Sequence, residues 1–269
     1  MITLFRYPGA KNKLLVPISK CLEPFIKATN SFCDVFVGGG SVLCEVASNY
    51  PVLKLVANDK DYLIYSFWLL ISSCSTNEKS QLFTLIDQKP TVELFYRLKK
   101  DQSTDILFCA YKAIFLNRCA FSGILKSNPI GGKEQQSEYK IDCRYNPKVL
   151  KNKIEALNLL LKNRLAVFNL DFRELDYLTK TDNACYLDPV YVQKGNELYN
   201  ETMNAQDHKD LASILASRKN WLLSYDNCVE ILQLYKTSDI NTLDAKYSIN
   251  GKKETWTNSK ELLITAKGT

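Results

Sequence analysis

The sequence predicts an α/β fold built on a parallel sheet, and three stretches carry that expectation. Ala184-Cys-Tyr-Leu-Asp-Pro-Val-Tyr191 is an apolar run halted by Asp188 and Pro189, which is how a central parallel strand ends at the sheet rim where ligands bind. Phe32-Cys-Asp-Val-Phe-Val-Gly-Gly-Gly40 is a strand entering a glycine turn, and residues 41–48 continue as a helix. Residues 53–57 form a second strand that stops at Asn58-Asp-Lys-Asp61. With 269 residues, 46% of them hydrophobic, the chain has material for one good core and an insertion.

In chain order, Phe5-Arg-Tyr-Pro-Gly-Ala-Lys11 is a turn that delivers a lysine and runs into an amphipathic helix over 12–26. Pro8-Gly9 fix the backbone ahead of Lys11, more constraint than a solvated lysine requires. Residues 62–73 are a core helix, for which Asp61 suits the N-cap. The helical period then runs over 78–100 with a break at Pro90-Thr91, and over 106–116. From Phe115 to Tyr145 the chain is polar, rich in glycine and arginine, with little periodicity; a loop that long in a compact domain is functional or disordered. A helix over 147–161 and a strand over 165–169 follow, with Asp171-Phe172 at the strand's end. Residues 192–199 read as a mobile loop. A helix over 206–217 capped by Asn204 comes next, then a strand over 221–225 and short strands near Tyr247 and over 261–266, with Asn250-Gly251 as a hairpin turn.

Composition excludes several function classes. The nine cysteines are odd in number and lack C-x-x-C spacing, and nothing ahead of Phe5 resembles a signal peptide, so a reduced, cytoplasmic protein is expected. One histidine, His208, leaves no material for a Ser-His-Asp triad or a histidine-rich metal site. No apolar run reaches the roughly 20 residues of a membrane span. The net charge is +6, and residues 112–164 hold eleven Lys/Arg against four Asp/Glu, so the remainder is close to neutral. That local surplus, in a loop as well as a helix, favours contact with a polyanion over an ordinary solvated face.

The candidate site follows from chemistry. Glycines between a strand and a helix let backbone approach a ligand, yet the turn lacks the full G-x-G-x-x-G spacing and the Gly-Lys-Ser/Thr of a phosphate loop. Asp59, about 20 residues beyond the turn, is placed to accept from ribose hydroxyls. Asp188 offers acceptor oxygens, Pro189 a carbonyl with no competing N–H, and Tyr191 a ring face, together a grip for a planar group bearing an amine.

Taken together and in order, Tyr7-Pro-Gly-Ala-Lys11, Asp34-Val-Phe-Val-Gly-Gly-Gly-Ser41, Asn58-Asp59, Phe115-Leu-Asn-Arg118 with Phe121-Ser-Gly-Ile124, Pro129-Ile-Gly-Gly132, Asp188-Pro-Val-Tyr191, and Lys194-Gly195 to Leu198-Tyr199 resemble the Dam-like, D12 class of adenine-specific DNA N6-methyltransferases. The resemblance covers nearly the whole chain, and its specificity lies in order and spacing. It implies a doubly wound, Rossmann-like sheet using S-adenosylmethionine, formed by 1–70 and 165–269, with a mostly helical target-recognition region inserted over 71–164. It implies a cofactor site lined by Tyr7, Lys11, Asp34, Phe36, Gly38, Gly40, Ser41, Asp59, Asp171, Phe172 and Asp188. Catalysis would fall to Asp188, Pro189 and Tyr191, with Tyr191 and Phe172 stacking on the base. DNA contacts would come from Arg118, Lys126, Lys133, Arg144 and Tyr199, in a metal-free monomer or weak dimer acting on double-stranded DNA.

One position departs from the family pattern, which has a second proline where this chain has Val190. The β-branched valine keeps the extended path open at some loss of rigidity. Two alternatives stay open at this stage: a homologue that binds DNA with weakened catalysis, and the same fold acting on cytosine N4, RNA or a protein amide.

Overall fold

The seven strands form one sheet in the order β3-β2-β1-β4-β5-β7-β6 in a computed structural model that describes residues 3–6, 11–192, 202–248 and 256–268. Strands β1 (Ser31–Asp34), β2 (Lys54–Asn58), β3 (Leu165–Phe168), β4 (Ala184–Leu187) and β5 (Trp221–Asp226) are mutually parallel. The antiparallel β7 (Trp256–Thr265) pairs with both β5 and β6 (Asp239–Ser248). The strand order reverses direction between β1 and β4, so their carboxyl ends flank the crevice where such sheets bind ligands.

The period-two alternation of each strand supplies two cores. Phe32, Leu55, Ala57, Ala184, Tyr186 and Leu222 face one apolar cluster; Cys33, Val56, Cys185, Leu187 and Leu223 face the other. The first cluster is covered by α1 (Leu15–Ala28), α2 (Ser41–Asn49), α3 (Tyr62–Ser73), α6 (Ile106–Cys119) and α7 (Pro147–Leu161). The second is covered by α8 (Asp176–Thr179), α9 (Ala205–Ala216) and α10 (Val229–Leu234). Two further helices, α4 (Thr76–Ile86) and α5 (Val92–Lys100), pack with α6, and their Leu82, Ile86, Phe95 and Leu98 belong to the first cluster. These helices therefore share the sheet's core.

Local sequence explains most boundaries. The Asp61 side chain accepts from Leu63 N and caps α3, as its position at the end of the second strand suggests. Ser75 and Glu78 form a capping box on α4, Thr91 caps α5 just past the Pro90 break, and Asn204 caps α9. Two expectations need correction. The first helix begins at Leu15 after a 3-10 turn at Lys11–Lys13, not at residue 12, which puts Pro17 in its first turn where a missing N–H costs nothing. The two strands expected near the end are a ten-residue pair, because β6 alternates polar and weakly apolar residues and so carries little sequence signal. Helices α8 and α10, of four and six residues, are too short to show a period. Asn250-Gly251 lies outside the described residues.

Of the stretch 115–145, expected to have little periodicity, residues through Cys119 belong to α6 and the rest is a succession of turns. Ser122, Gly123, Gly131, Gly132 and Gln135 have positive φ, and an isolated bridge joins Ala120 to Pro129. The Gln135 amide donates to the Ile130 and Gly132 carbonyls and accepts from Ile141 N, giving this polar segment internal satisfaction in place of a core. All nine cysteines are free thiols. Among the described residues no helix is long and apolar enough to cross a membrane.

The glycine turn is a close approach as well as a bend. Gly40 has φ +65, and a Cβ there would sit 2.2 Å from the Trp68 ring, whose Nε1 donates to the Gly38 carbonyl at 3.0 Å. Gly40→Ala is expected to lower the unfolding free energy by well over the ~1–2 kcal/mol of left-handed strain, because the ring cannot yield. Gly132→Ala, at φ +72 with nothing within 4 Å, should lose the strain alone. Urea denaturation of the two variants checks the difference; equal losses would show that Trp68 does not constrain the turn.

Candidate active site at the ends of the parallel strands

The crevice between the ends of β1 and β4 is a pocket floored by the glycine turn. Asp34 closes β1, residues 36–40 form the turn, and Ser41, buried, opens α2. Asn58, Asp59, Lys60 and Asp61 come from the end of β2, Leu170, Asp171 and Phe172 from the end of β3, Tyr186, Asp188 and Val190 from β4 and its exit, and Lys11 from the amino-terminal turn. Of the proposed cofactor residues, Lys11, Asp34, Phe36, Gly38, Gly40, Ser41, Asp59, Asp171, Phe172 and Asp188 all line this one pocket. Tyr7 lies outside the described residues, as do Lys194 and Tyr199.

Backbone groups are spent on shaping the turn. Asp59 Oδ2 accepts from Gly38 N at 2.8 Å and its Oδ1 from Asp61 N at 3.0 Å, so this carboxylate pins the turn as well as facing the pocket. Asn58, 1% exposed, donates to the Val35 and Leu170 carbonyls and accepts from Leu170 N, tying together the ends of β1 and β3. At the lower rim Asp171 pairs with Lys60 at 3.1 Å and with Arg173 at 2.9 Å. Arg173 also pairs with Asp207 and Asp210 of α9.

Six carboxyl groups, Asp34, Asp59, Asp61, Asp171, Asp188 and Asp207, line the pocket with the ammonium groups of Lys11 and Lys60. Burial, and then the neighbouring charges of Asp188 and Asp59, push the Asp34 carboxyl well above the usual carboxylate range. Asp34 Oδ1 is buried with no hydrogen-bond partner among the described residues. Burial likewise raises Asp188, to about 6; Lys11 pulls against this shift and Glu261 adds to it.

Lys11 is 3% exposed, and its ammonium lies 2.7 Å from each oxygen of Asp188 and 3.3 Å from Glu261 Oε1. The short contact to Asp188 Oδ1 lacks hydrogen-bond geometry, whereas that to Oδ2 has it, so the pairing is directed at one oxygen. Burial would lower the lysine, but the two carboxylates outweigh it and hold Lys11 above its ordinary value. The same ammonium sits 5.0 Å from the Tyr191 ring centroid, and the Tyr191 hydroxyl donates to Glu261. Pro189 is buried.

The rings expected to sandwich a base are in separate pairs. Tyr191 lies 5.9 Å from Tyr225, while Phe172 lies 5.9 Å from Phe36 and is covered by the Arg173 guanidinium at 4.6 Å. Phe172 thus belongs to the wall near Asp59 and Asp171, because it follows β3 and Tyr191 follows β4. Glu261, 1% exposed on β7 opposite Asp226, was missed by sequence reasoning. Its one signal is a charge inside an apolar strand, Glu261-Leu-Leu-Ile264. Thr202, Met203 and Asp207, which also line the pocket, offered none.

Of the basic residues singled out, Lys126, Lys133 and Arg144 are exposed on the insertion. Arg118 is half-buried instead, with Nη2 donating to the Leu4 carbonyl. Burial, then the nearby charges of Arg6 and Arg144, hold its guanidinium below the ordinary value. Its neighbour Asn117 accepts from Arg6 N at 2.8 Å and donates to the Arg6 carbonyl at 2.9 Å. Among the described residues no group of His, Cys, Asp and Glu is arranged to hold a metal.

The pocket, the turn and the acid after β4 stand in the order that the sequence motifs follow. Residues 7–249 match the family described as D12 class N6 adenine-specific DNA methyltransferase. Over 202 residues the chain is 25% identical to the Type II methyltransferase M.MjaIII of Methanocaldococcus jannaschii, a match spanning 69% of this chain and 68% of that protein. The chain belongs to the D12 class of N6 adenine-specific DNA methyltransferases.

Proposed function

We propose that the pocket takes S-adenosylmethionine and that Asp188, Pro189 and Tyr191 present to it an adenine swung out of duplex DNA. The observation that carries this reading is the meeting of Asp34, Asp59 and Asp188 with a glycine turn in one crevice at the strand switch. A turn without a phosphate-loop lysine, set among carboxylates, suits a ligand that brings positive charge. The buried Asp34 Oδ1, lacking a partner, fits an ammonium or amide donor from such a ligand. When bound, S-adenosylmethionine supplies a methyl group made electrophilic by its sulfonium.

The protein's part is to expose and align the amine. An exocyclic adenine nitrogen shares its lone pair with the ring and is a poor nucleophile. Asp188 accepting one N6 hydrogen and the Pro189 carbonyl accepting the other would hold that nitrogen more tetrahedral and stabilise the charge that grows on it. Positioning in line with the donor supplies the proximity term, roughly 7–11 kcal/mol at most. Phe36 and Phe172 wall the cofactor end, and Tyr191 the base end. Extruding the base costs about a few kcal/mol, which ring contact and backbone contacts offset. The inserted region, 71–164, carries Lys126, Lys133 and Arg144 outward and gathers Arg118 beside Arg6 and Arg144, and we assign it to DNA contact.

Methyl transfer from labelled S-adenosylmethionine to adenine-containing duplex DNA tests the site. Asp188→Asn should cut kcat by about 10²–10³-fold, the cost of removing a placed electrostatic group; wild-type transfer by this variant would refute the assignment.

The pH profile gives a second test. Asp188 must be ionised to accept from the amine, and its folded-state value of about 6 lies above an ordinary carboxylate. Activity is therefore complete above that value and falls as pH drops through it, so kcat/KM for DNA should show an acid limb near 6. A limb near 4 would mean the titrating group is not this carboxyl.

For the insertion, Lys133→Ala and Arg144→Ala should weaken DNA binding and each reduce the slope of log affinity against log salt by about 1. An unchanged slope in both would place the phosphate contacts elsewhere.

A further inference from the structure

Glu261 has no part in the scheme above, yet it is a carboxylate buried beside the reacting position. We infer that Glu261 is a positioning residue: Lys11 holds the place of the target amine on Asp188, and Glu261 receives that ammonium when the amine arrives. The inference rests on the assignment of Asp188 as the acceptor of the adenine amine.

The geometry presents the problem and its solution together. Lys11 Nζ lies 2.7 Å from both Asp188 oxygens and 5.0 Å from the centre of the Tyr191 ring, a cationic nitrogen on the acid and beside the ring meant for another nitrogen. The incoming amine needs room on that carboxylate. An ammonium 3% exposed cannot retreat into water without dragging its segment out of the core, and leaving it unpaired inside would cost several kcal/mol. Glu261 Oε1 is already 3.3 Å away, so a shift of about half an ångström reaches a charge-assisted hydrogen bond of about 2.8 Å. The backbone that carries the acceptor is fixed, since Glu261 stands opposite Asp226 in the ladder between β7 and β5. Accepting the Tyr191 hydroxyl, it also fixes the ring beside which the base must come to rest.

Charge sets a signature that a merely structural role would lack. Asp188 is faced by Lys11 from the amino-terminal turn, Tyr191 from its own loop, Glu261 from β7, Asp34 from β1, Tyr186 from β4 and Tyr225 from β5. Of these, Lys11 and Glu261 act on it with opposite sign and the largest charge effects. Removing the negative charge of Glu261 should lower the Asp188 value while strengthening the hold of Lys11 upon it.

The experiment compares Glu261→Gln, Lys11→Met, the double variant and Asp188→Asn in methyl transfer to duplex DNA, with rates followed from pH 4.5 to 9. Glu261→Gln keeps an acceptor for Tyr191, so the expected result is a fall in kcat on the order of tenfold or more, an unchanged KM for S-adenosylmethionine, and an acid limb moved to lower pH. In the Lys11→Met background the same change should cost little, because no ammonium remains to be received. Should Glu261→Gln fail to fold, Glu261→Asp keeps the charge at a shorter reach and should lower kcat with the acid limb in place. Wild-type kcat with an unmoved limb in Glu261→Gln, or in Glu261→Asp where that is the variant that folds, overturns the inference. So do losses that simply multiply in the double variant. If those failures occur while Asp188→Asn is inactive, only the hand-over falls; full transfer by Asp188→Asn removes both it and the assignment beneath it.

Discussion

A buried ammonium between two carboxylates joins three separate parts of this chain. Lys11 comes from the amino-terminal turn, Asp188 from the exit of β4 and Glu261 from β7, and they meet within 3.3 Å. At an effective dielectric of about 20, unit charges at that spacing attract by on the order of 5–6 kcal/mol, but desolvation costs several kcal/mol per ion. The two terms nearly cancel, so the cluster contributes little net stability. Its consequence is positional: the charges fix where three backbone segments must lie, while the apolar clusters on the two sheet faces hold the fold.

The sheet topology decides why that point is the useful one. Because β1 and β4 are neighbours whose connections leave toward opposite faces, no crossover covers their carboxyl ends, and a crevice is left open. The glycine turn fills its floor with backbone, which is possible because Trp68 closes on Gly40 where any Cβ would collide. Asp59 then bridges the turn to the end of β2 through Gly38 N and Asp61 N. The result is a rigid pocket of backbone and carboxylates, which favours electrostatic preorganisation over side-chain rearrangement at the cofactor end.

How much of this was legible follows from where the signals lie. Strands of the parallel sheet and the helices α3 and α7 were readable because their apolar periods are long or bounded by clear stops, Asp61 before α3 and Pro147 at the start of α7. The pocket wall was readable because it is made of strand ends, and a strand end announces itself by a carboxylate or glycine after an apolar run. Glu261 was hidden because its partners stand 70 and 250 residues away in sequence, and no local rule marks a strand charge as a core residue. The separation of Phe172 from Tyr191 was hidden for a related reason: both follow strands, but sequence does not say that β1 and β2 stand between β3 and β4. Arg118 read as a surface cation because its helix position is unremarkable; only the fold shows Leu4 beneath it.

Two residues near the amino terminus, Arg6 and Lys11, are anchored to separate parts of the fold. Asn117, at the end of α6, is 1% exposed and grips both backbone polar groups of Arg6 while also donating to the Gly123 carbonyl at 3.0 Å. Five residues further along, Lys11 is held by Asp188 and Glu261. Arg6 is thus tied to α6, and Lys11 to the exit of β4 and to β7. A side-chain amide that satisfies three backbone groups in a buried site is hard to replace, since any shorter or apolar side chain leaves several unpaired polar atoms, each costing ~1–3 kcal/mol.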